Sequence, residues 1–562
     1  MRRLVALTAA LWSAAALGGA QAQDRPSLVY QGSGPIDPAQ MSETIKVMAS
    51  EEFQGRNPGT AGETKTIAYL TKRFKDLGLE PGGEKGSWTQ RVPLIRFQVS
   101  PTSTFSVSTK TGETALIQAE DLYLTSQRPT AKIAVDKAKM VFVGYGVSAP
   151  ERGWDDFKGT DVRGKILLML INDPDFEAKP SDGAFGKFSG LAATYYARWT
   201  YRFEEAARRG AAGLLIIHDT PGAGYGWSTV TAPGGESFDI VRADPIKERV
   251  LLQGWIQQGV AAQLFQQSGL DLQALKQQAR QSDFKPVTLP GALFSAKLSH
   301  QFTGVESHNV LAKLTGKTRP LESIMFSAHW DAYGVGKPDA QGRTVRPGAA
   351  DDAIGVAGTI ELARAFAKGP RPDRTLVFAA WTAEERGLLG SETYGVHPTL
   401  PLETTVANLT MDVLQTAGPA KDVVLVGYGQ NELEDDLAAA AAEQGRTITP
   451  DAKPERALFY RADHFSLAKR GVPVLLLMGM GGGADLVEGA RAAGDRWVAD
   501  YTANCYHQTC DVWKPDWDLR GAAQDVALFY EIGLRLANSG RWPTWHSGSE
   551  FKPIRDLSAA KR

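Results

Sequence analysis

Two adjacent glutamates, Glu384 and Glu385, follow the apolar run RTLVFAA in the stretch WTAEERGLLGS. Neighbouring carboxylates repel each other, and desolvation penalises both charged forms. The end of a buried strand is a costly place for them unless a cation offsets the charge. Other acidic and imidazole residues stand in similar places. His329 and Asp331 are two apart in SAHWDAYG, after the apolar SIMF, and would share one face if the strand continued. Asp351 and Asp352 lie in GAADDAIG, just before a helical pattern. Asp412 closes the run ANLTMD. His507 lies in CYHQTCD between the chain's 2 cysteines, Cys505 and Cys510, with Asp511 shortly after. Mixed nitrogen and oxygen donors of this kind suit zinc. Two metals that share a bridging carboxylate sit roughly 3.5–4 Å apart and clamp a water. Adjacent glutamates point in different directions, so one can ligate while its neighbour faces that water as general base.

Each station has an ordinary reading on its own. Asp351 and Asp352 could cap a helix. The glutamate pair could be a solvated turn, Asp412 a turn residue, and either histidine structural. Five such stations at strand ends of one domain point to a shared site. His218, His300, His308, His397 and His546 have no such company. Asp463 and His464, in YRADHFSLAKRGVP, read as structural or substrate-shaping.

The elements that must position these residues read as an α/β fold. From His308 onward, HNVLAKLTG, SIMFSAHWD, TLVFAAWTAEE, ANLTMDVL, DVVLVGYG and VPVLLLMG are strand-like. Helical patterns fall between them, at about Ile354–Lys368, near 390 and at about Glu432–Gln444. Ligands of open α/β sheets collect outside the carboxyl ends of the strands. Near the N-terminus, DPAQMSETIKVMASEEF and GTAGETKTIAYLTKRFKDLGL have helical periodicity, with Ile67, Leu70, Phe74 and Leu77 on one face and a stop at Gly78. Between these regions, residues 120–292 alternate in shorter segments and read as a separate domain. The glycine-rich GMGGGADLVEG lacks the spacing of a phosphate or dinucleotide loop.

The chain has 562 residues, of which 43% are apolar and 22% charged, enough for two or three domains with sizeable cores. A formal net charge of −1 gives no reason to expect a nucleic-acid partner. Arg2 and Arg3, the apolar run Leu4–Leu17 and the small residues AQA predict a signal peptide over residues 1–22, too short to span a membrane. No cysteine follows it, so no lipid anchor is expected. The expectation is an exported protein, periplasmic or secreted. In that setting Cys505 and Cys510 can form a short disulfide that holds Tyr506 and His507 locally.

Taken in order, ASEEFQGRNPGTAGE, HWD, GAADDAIG, AEERGLLGS, the MD at 411–412, RADHFSLAKRGVP and CYHQTCD resemble the co-catalytic di-zinc exopeptidases of the bacterial leucyl-type aminopeptidase and glutamate carboxypeptidase-like group. The resemblance covers most of the chain after the leader. It implies a three-layer zinc-exopeptidase fold with a mixed central sheet, built from residues 38–119 and 293–540. It also implies an inserted β-rich protease-associated domain at 120–292, best carried by RFEEAARRGAAGLLIIHD, and leaves a C-terminal tail at 541–562. It implies two zinc ions per chain. Asp351 would bridge them, His329 and Asp412 would complete one site, and Glu385 and His507 the other. Glu384 would be the general base that takes a proton from the water and passes it to the leaving amine. Asp331 would orient His329, and Asp511 would do the same for His507. Tyr506 would stabilise the developing oxyanion, and Arg461 would help hold substrate. The activity implied is an aminopeptidase acting on peptides. A carboxypeptidase or dipeptidase on the same metal centre is the alternative, since the ligands do not separate them. A cyclase-like transferase fits the complete bridging set less well. A non-catalytic binding protein on the same fold would be marked by lost ligands, and none is lost.

Overall fold

The computed structural model describes residues 34–231 and 233–562. The leader expected at 1–22 lies outside the described residues. Among them, no helix is long and apolar enough to cross a membrane.

The central sheet is mixed. Arg319–His329 lies between Arg374–Trp381 and Thr405–Met411, parallel to both. Val474–Leu477 continues the parallel set beside Thr405–Met411. Asp422–Val426 then runs antiparallel and carries Thr447–Pro450 on its outer side. On the other flank, Val287–Leu314 pairs antiparallel with Arg374–Trp381 and with Thr89–Val99.

Alternation along the strands sorts their side chains into two cores. Val310, Ala312, Ile324, Phe326, Leu376 and Phe378 point to one face, under the helices Pro38–Met48, Ile354–Lys368 and Arg520–Ala537. Leu311, Met325, Val377, Ala379 and Trp381 point to the other, against Tyr394 and Leu467 of the helices Leu389–Val396 and His464–Ala468. The result is helix, sheet and helix in three layers, and strands buried on both faces explain the near-continuous apolar runs. The N-terminal helix begins at Pro38, where the Asp37 side chain accepts from the Ala39 amide.

Val287–Leu314 is one 28-residue strand that belongs to two sheets. Its first half pairs with Lys132–Phe142 and Thr104–Thr109. Its second half joins the central sheet. The second sheet continues from Lys132–Phe142 through the parallel strands Ile166–Leu170, Gly213–His218 and Leu252–Gln257 to an antiparallel Leu122–Thr125. This sheet therefore takes in residues on both sides of the 120–292 span. Glu236–Ile240 leaves it and pairs with Thr89–Val99 at the edge of the central sheet.

The C-terminal segment is docked, which its polar composition did not suggest. Trp545 is buried and donates its indole N–H to the Gly471 carbonyl at 2.9 Å. Arg555, in the helix Lys552–Ala559, is buried and donates to the Thr405 carbonyl at 2.9 Å. Two other helices were also absent from the sequence reading, Ala490–Asp500 and Arg520–Ala537.

Candidate active site

The parallel strands end side by side, and the candidate residues sit at those ends. His329 is the last residue of Arg319–His329, Asp412 follows Met411, and Glu384 and Glu385 lie just past Trp381. Asp351 comes from the turn that opens the helix Ile354–Lys368. That turn needs a glycine: Gly348 has φ +59°, and a Cβ there would lie 2.2 Å from the Asp351 carbonyl oxygen. His507 arrives from the far side, on a loop closed by a Cys505–Cys510 disulfide.

Two donor groups result. His329, Asp351 and Asp412 offer ligand atoms within 4.8 Å of one another, and so do Asp351, Glu385 and His507. Asp351 belongs to both. Its Oδ1 is 3.1 Å from His329 Nε2, and its Oδ2 is 3.2 Å from His507 Nε2. His507 Nε2 is also 3.2 Å from Glu385 Oε2. His329 Nε2 lies 3.9 Å from Asp412 Oδ1 and 3.9 Å from Glu384 Oε2. Glu384 is in neither donor group but borders the first.

The electrostatics of the cluster fit a cation site. Burial, reinforced by neighbouring carboxylates, holds Glu384 and Glu385 well above the usual carboxylate range. Burial likewise pushes Asp412 up to about 7. Burial also acts on Asp351, but His329 and His507 outweigh it and keep this carboxyl below its ordinary value. Burial alone would lower His329, yet Glu384, Asp331 and Asp351 together raise it well above its ordinary value. Among the described residues, the Glu385 and Asp412 carboxylates have imidazoles as their near partners and accept no backbone N–H. Nitrogen and carboxylate donors starved of positive charge are what zinc satisfies.

Supporting contacts set the orientation of these groups. His329 Nδ1 donates to the Asp331 carbonyl oxygen at 3.1 Å, which leaves Nε2 free to ligate. The Asp331 carboxylate is 3.7 Å from the same nitrogen and accepts the Glu384 amide at 3.0 Å. The strand stops at His329, so the shared-face argument for His329 and Asp331 does not hold; a turn brings them together. Asp352 is no ligand. Its carboxylate accepts the amides of His329, Gly355 and Val413 and ties two strand ends to the helix.

The expected role of Asp511 is corrected. It accepts the Ala350 and Asp351 amides at 2.9 and 3.1 Å, and the Tyr501 hydroxyl at 3.1 Å. It therefore shapes the Asp351 turn rather than orienting His507. The His507 ring instead packs between Tyr506, at 3.6 Å, and Tyr333, at 4.4 Å. Burial raises the Tyr506 phenol and the Arg461 charge opposes it, leaving the phenol well above its ordinary value. Arg461 is half-buried beside it. Asp463 accepts a hydrogen bond from Ser391 at 2.5 Å, and the buried His464 packs on Phe459, so this pair stays structural.

Arg56 escaped the sequence reading although it lies in the quoted ASEEFQGRNPGTAGE. It is buried and donates to the carbonyls of Trp330, Met48, Pro347 and Gly348 at 2.6, 2.8, 2.5 and 2.8 Å. It thus pins the His329 turn to the Asp351 turn, and its charge sits behind Asp331, Asp511 and Asp352. Arg56→Met should weaken zinc binding about 10–100-fold, the usual cost of losing a group that orients ligands. Competition against a chromophoric chelator measures this. Arg56→Lys should restore only part, since an ammonium cannot span four carbonyls.

The disulfide yields a second expectation. His507 has φ +63°, a left-handed backbone uncommon outside glycine. Removing both Cys505 and Cys510 should cost at most about 2 kcal/mol of global stability, since the loop is short. Zinc bound through His507 should nonetheless loosen by about tenfold or more. Parallel thermal melts and zinc titrations separate the two effects.

Residues 309–530 match the profile of peptidase family M28. Over that span the chain is similar to the M28 peptidases. All the ligand candidates lie inside the matched span. The vacuolar membrane protease of Schizosaccharomyces pombe is 33% identical over 122 residues, 22% of this chain and 13% of the relative. A probable zinc metalloprotease of Pyrenophora teres f. teres is 43% identical over 83 residues, 15% of this chain and 17% of the relative. The matches thus span less than a fifth of these curated relatives. Among solved structures, an aminopeptidase from Aneurinibacillus sp. strain AM-1 aligns over 90% of this chain and 96% of its own, with 20% identity and a TM-score of 0.49.

Proposed function

We propose that the chain is an exported, zinc-dependent exopeptidase, and specifically an aminopeptidase that releases N-terminal residues from peptides. The observation that carries the reading is the meeting of two donor groups on the two oxygens of Asp351, with Glu384 alongside. His329, Asp351 and Asp412, and Asp351, Glu385 and His507, would hold zinc, which would supply Lewis acidity at a scissile carbonyl and a better water nucleophile at neutral pH.

The chain's own residues do the rest. Glu384 accepts a proton from the attacking water and delivers it to the leaving amine nitrogen. Asp331 holds the Glu384 amide and the His329 ring in register with each other. Tyr506 stays protonated at neutral pH and can donate its hydroxyl proton to a developing oxyanion. Arg461, whose charge interacts with Tyr506 and Glu384, would help hold substrate. The disulfide beside His507 and the leader-like N-terminus support export.

The test uses purified protein with bound zinc quantified, and a panel of unblocked, N-acetylated and C-amidated short peptides. Two zinc ions per chain and cleavage only of peptides with a free amino end are expected. Dependence on a free carboxyl end would make it a carboxypeptidase, and dependence on both ends a dipeptidase. Zinc without cleavage of any peptide would overturn the enzymatic reading.

A further inference from the structure

We propose that Phe238 of the inserted block and Arg386, next to the ligand candidate Glu385, are positioning residues for the His507 zinc ligand. The insert then supports the metal centre itself. The inference rests on the zinc reading and deepens it.

The two imidazoles of the site are held in different ways. A histidine that ligates a metal is ordinarily oriented by a hydrogen bond from its other ring nitrogen. His329 has one, from Nδ1 to the Asp331 carbonyl oxygen at 3.1 Å. Among the described residues, His507 Nδ1 has none. Its ring is held by stacking instead, 3.6 Å from Tyr506 and 4.4 Å from Tyr333. Tyr506 is its neighbour in the chain and travels with the same loop. Tyr333 comes from another segment, so the orientation of His507 relative to the rest of the site falls on Tyr333 and on whatever fixes Tyr333.

Arg386 fixes it. Its guanidinium carbon lies over the Tyr333 ring, 5.1 Å from the ring centre, and over the Phe238 ring, 5.3 Å from that centre. A cation over an aromatic face is attracted to it, and more strongly where water is scarce; the Arg386 side chain is only 15% exposed. Its direction is set by a hydrogen bond to Asn57 Oδ1 at 2.8 Å and by Glu236 Oε1 at 3.8 Å. Glu236 and Phe238 both belong to the insert strand Glu236–Ile240, which pairs with the edge strand Thr89–Val99 of the central sheet. Phe238 and Ile240 are buried against Ala383 and Leu389. Those two bracket the Glu384–Glu385 turn, which the Leu389 amide closes on the Ala383 carbonyl at 3.1 Å. One line of contacts thus runs from the insert through Phe238, Arg386 and Tyr333 to His507, and the same strand backs the turn that carries Glu385.

The experiment titrates the full chain with zinc against a chromophoric chelator and reads the two dissociation constants separately. Wild type is compared with Phe238→Ala, Arg386→Met, Arg386→Lys and Ile240→Ala. In Phe238→Ala and Arg386→Met one constant should rise by about tenfold or more, the cost of losing a group that orients a ligand, and the other should keep its wild-type value. Arg386→Lys keeps a cation over the rings and should loosen that ion less. Ile240→Ala thins the same apolar cluster two residues along the strand. It should lower the melting temperature as Phe238→Ala does and leave both constants unchanged. In a His507→Ala background, which retains only the other site, adding Phe238→Ala should not alter the remaining constant. Loosening of both ions, loosening in the His507→Ala background, or a Phe238→Ala that behaves like Ile240→Ala overturns the proposal. If the wild type binds no zinc, the metal reading fails by itself. The contacts are then judged by hydrogen exchange in the loop closed by Cys505 and Cys510. Faster exchange in Phe238→Ala and Arg386→Met than in Ile240→Ala and wild type sustains the positioning role, and equal exchange overturns it.

Discussion

Replacing Glu384 with glutamine should lower kcat by about 10²–10⁴-fold, the range spanned by a positioned acid–base group, while zinc content stays at the wild-type level. The amide keeps the size and the backbone of Glu384, including the N–H that donates to Asp331. It cannot accept the proton of the attacking water. Because Glu384 lies outside both donor groups, the metal sites should fill as before. Glu385→Gln is the contrasting case. That residue belongs to the donor group with Asp351 and His507, so its loss should remove zinc together with activity. Measuring kcat, zinc stoichiometry and melting temperature on both variants separates a base from a ligand. Activity of Glu384→Gln within tenfold of wild type would show that the proton goes elsewhere. A further consequence follows from repulsion. Stripped of metal, Glu384→Gln should melt no lower than stripped wild type, because one crowded carboxylate has gone.

The stations of this site were legible because local patterns end where the chemistry begins. The apolar runs before His329, Glu384 and Asp412 are strands buried on both faces, and a polar residue just past such a run marks a strand end. Parallel strands then align those ends, which is a property of the fold class rather than of any residue. The contacts that orient the ligands were not legible to the same degree. Asp511 follows His507 closely in sequence but reaches the amides of Ala350 and Asp351, an approach made only in the folded chain. Asp331 was placed on a strand that ends two residues earlier. Three of the four carbonyls that Arg56 binds belong to Trp330, Pro347 and Gly348, far along the chain, and nothing in its neighbours announces that. Buried positions in Val287–Leu314 lapse over residues 301–304, just past the passage from one sheet to the other, so in the sequence this one strand reads as two separate segments. In the C-terminal segment, Trp545, Phe551 and Arg555 are too sparse to form a periodic pattern, yet each is buried.

Removing zinc should make the protein's stability fall as pH rises from about 5 to 8, the reverse of what a set of ordinary ion-paired carboxylates would do. In the metal-free fold, burial holds Asp352, Glu384 and Glu385 well above the carboxylate range and pushes Asp412, Asp463 and Asp511 up to about 7. The unfolded chain titrates these groups near pH 4. Between those limits the folded state binds more protons than the unfolded state, so raising the pH favours unfolding. His329 acts with the same sign: its folded value is raised, so its contribution is complete below the ordinary histidine value and is lost as pH rises through the folded one. Asp351 is held low and contributes throughout this window, failing only in strong acid. His507 is lowered and opposes the trend, but it is one group against several. Each pKa unit corresponds to about 1.4 kcal/mol, so the summed effect should displace the melting temperature by several degrees. Zinc reverses the dependence, because its ligands must be deprotonated to bind and the dications neutralise the repulsion. Calorimetric melts of chelator-treated and zinc-loaded protein across this pH range should diverge most at pH 8. A metal-free form that gains stability toward pH 8 would mean that the carboxylates around Asp351 find their positive charge within the chain, and the need for metal at this centre would lose its physical basis.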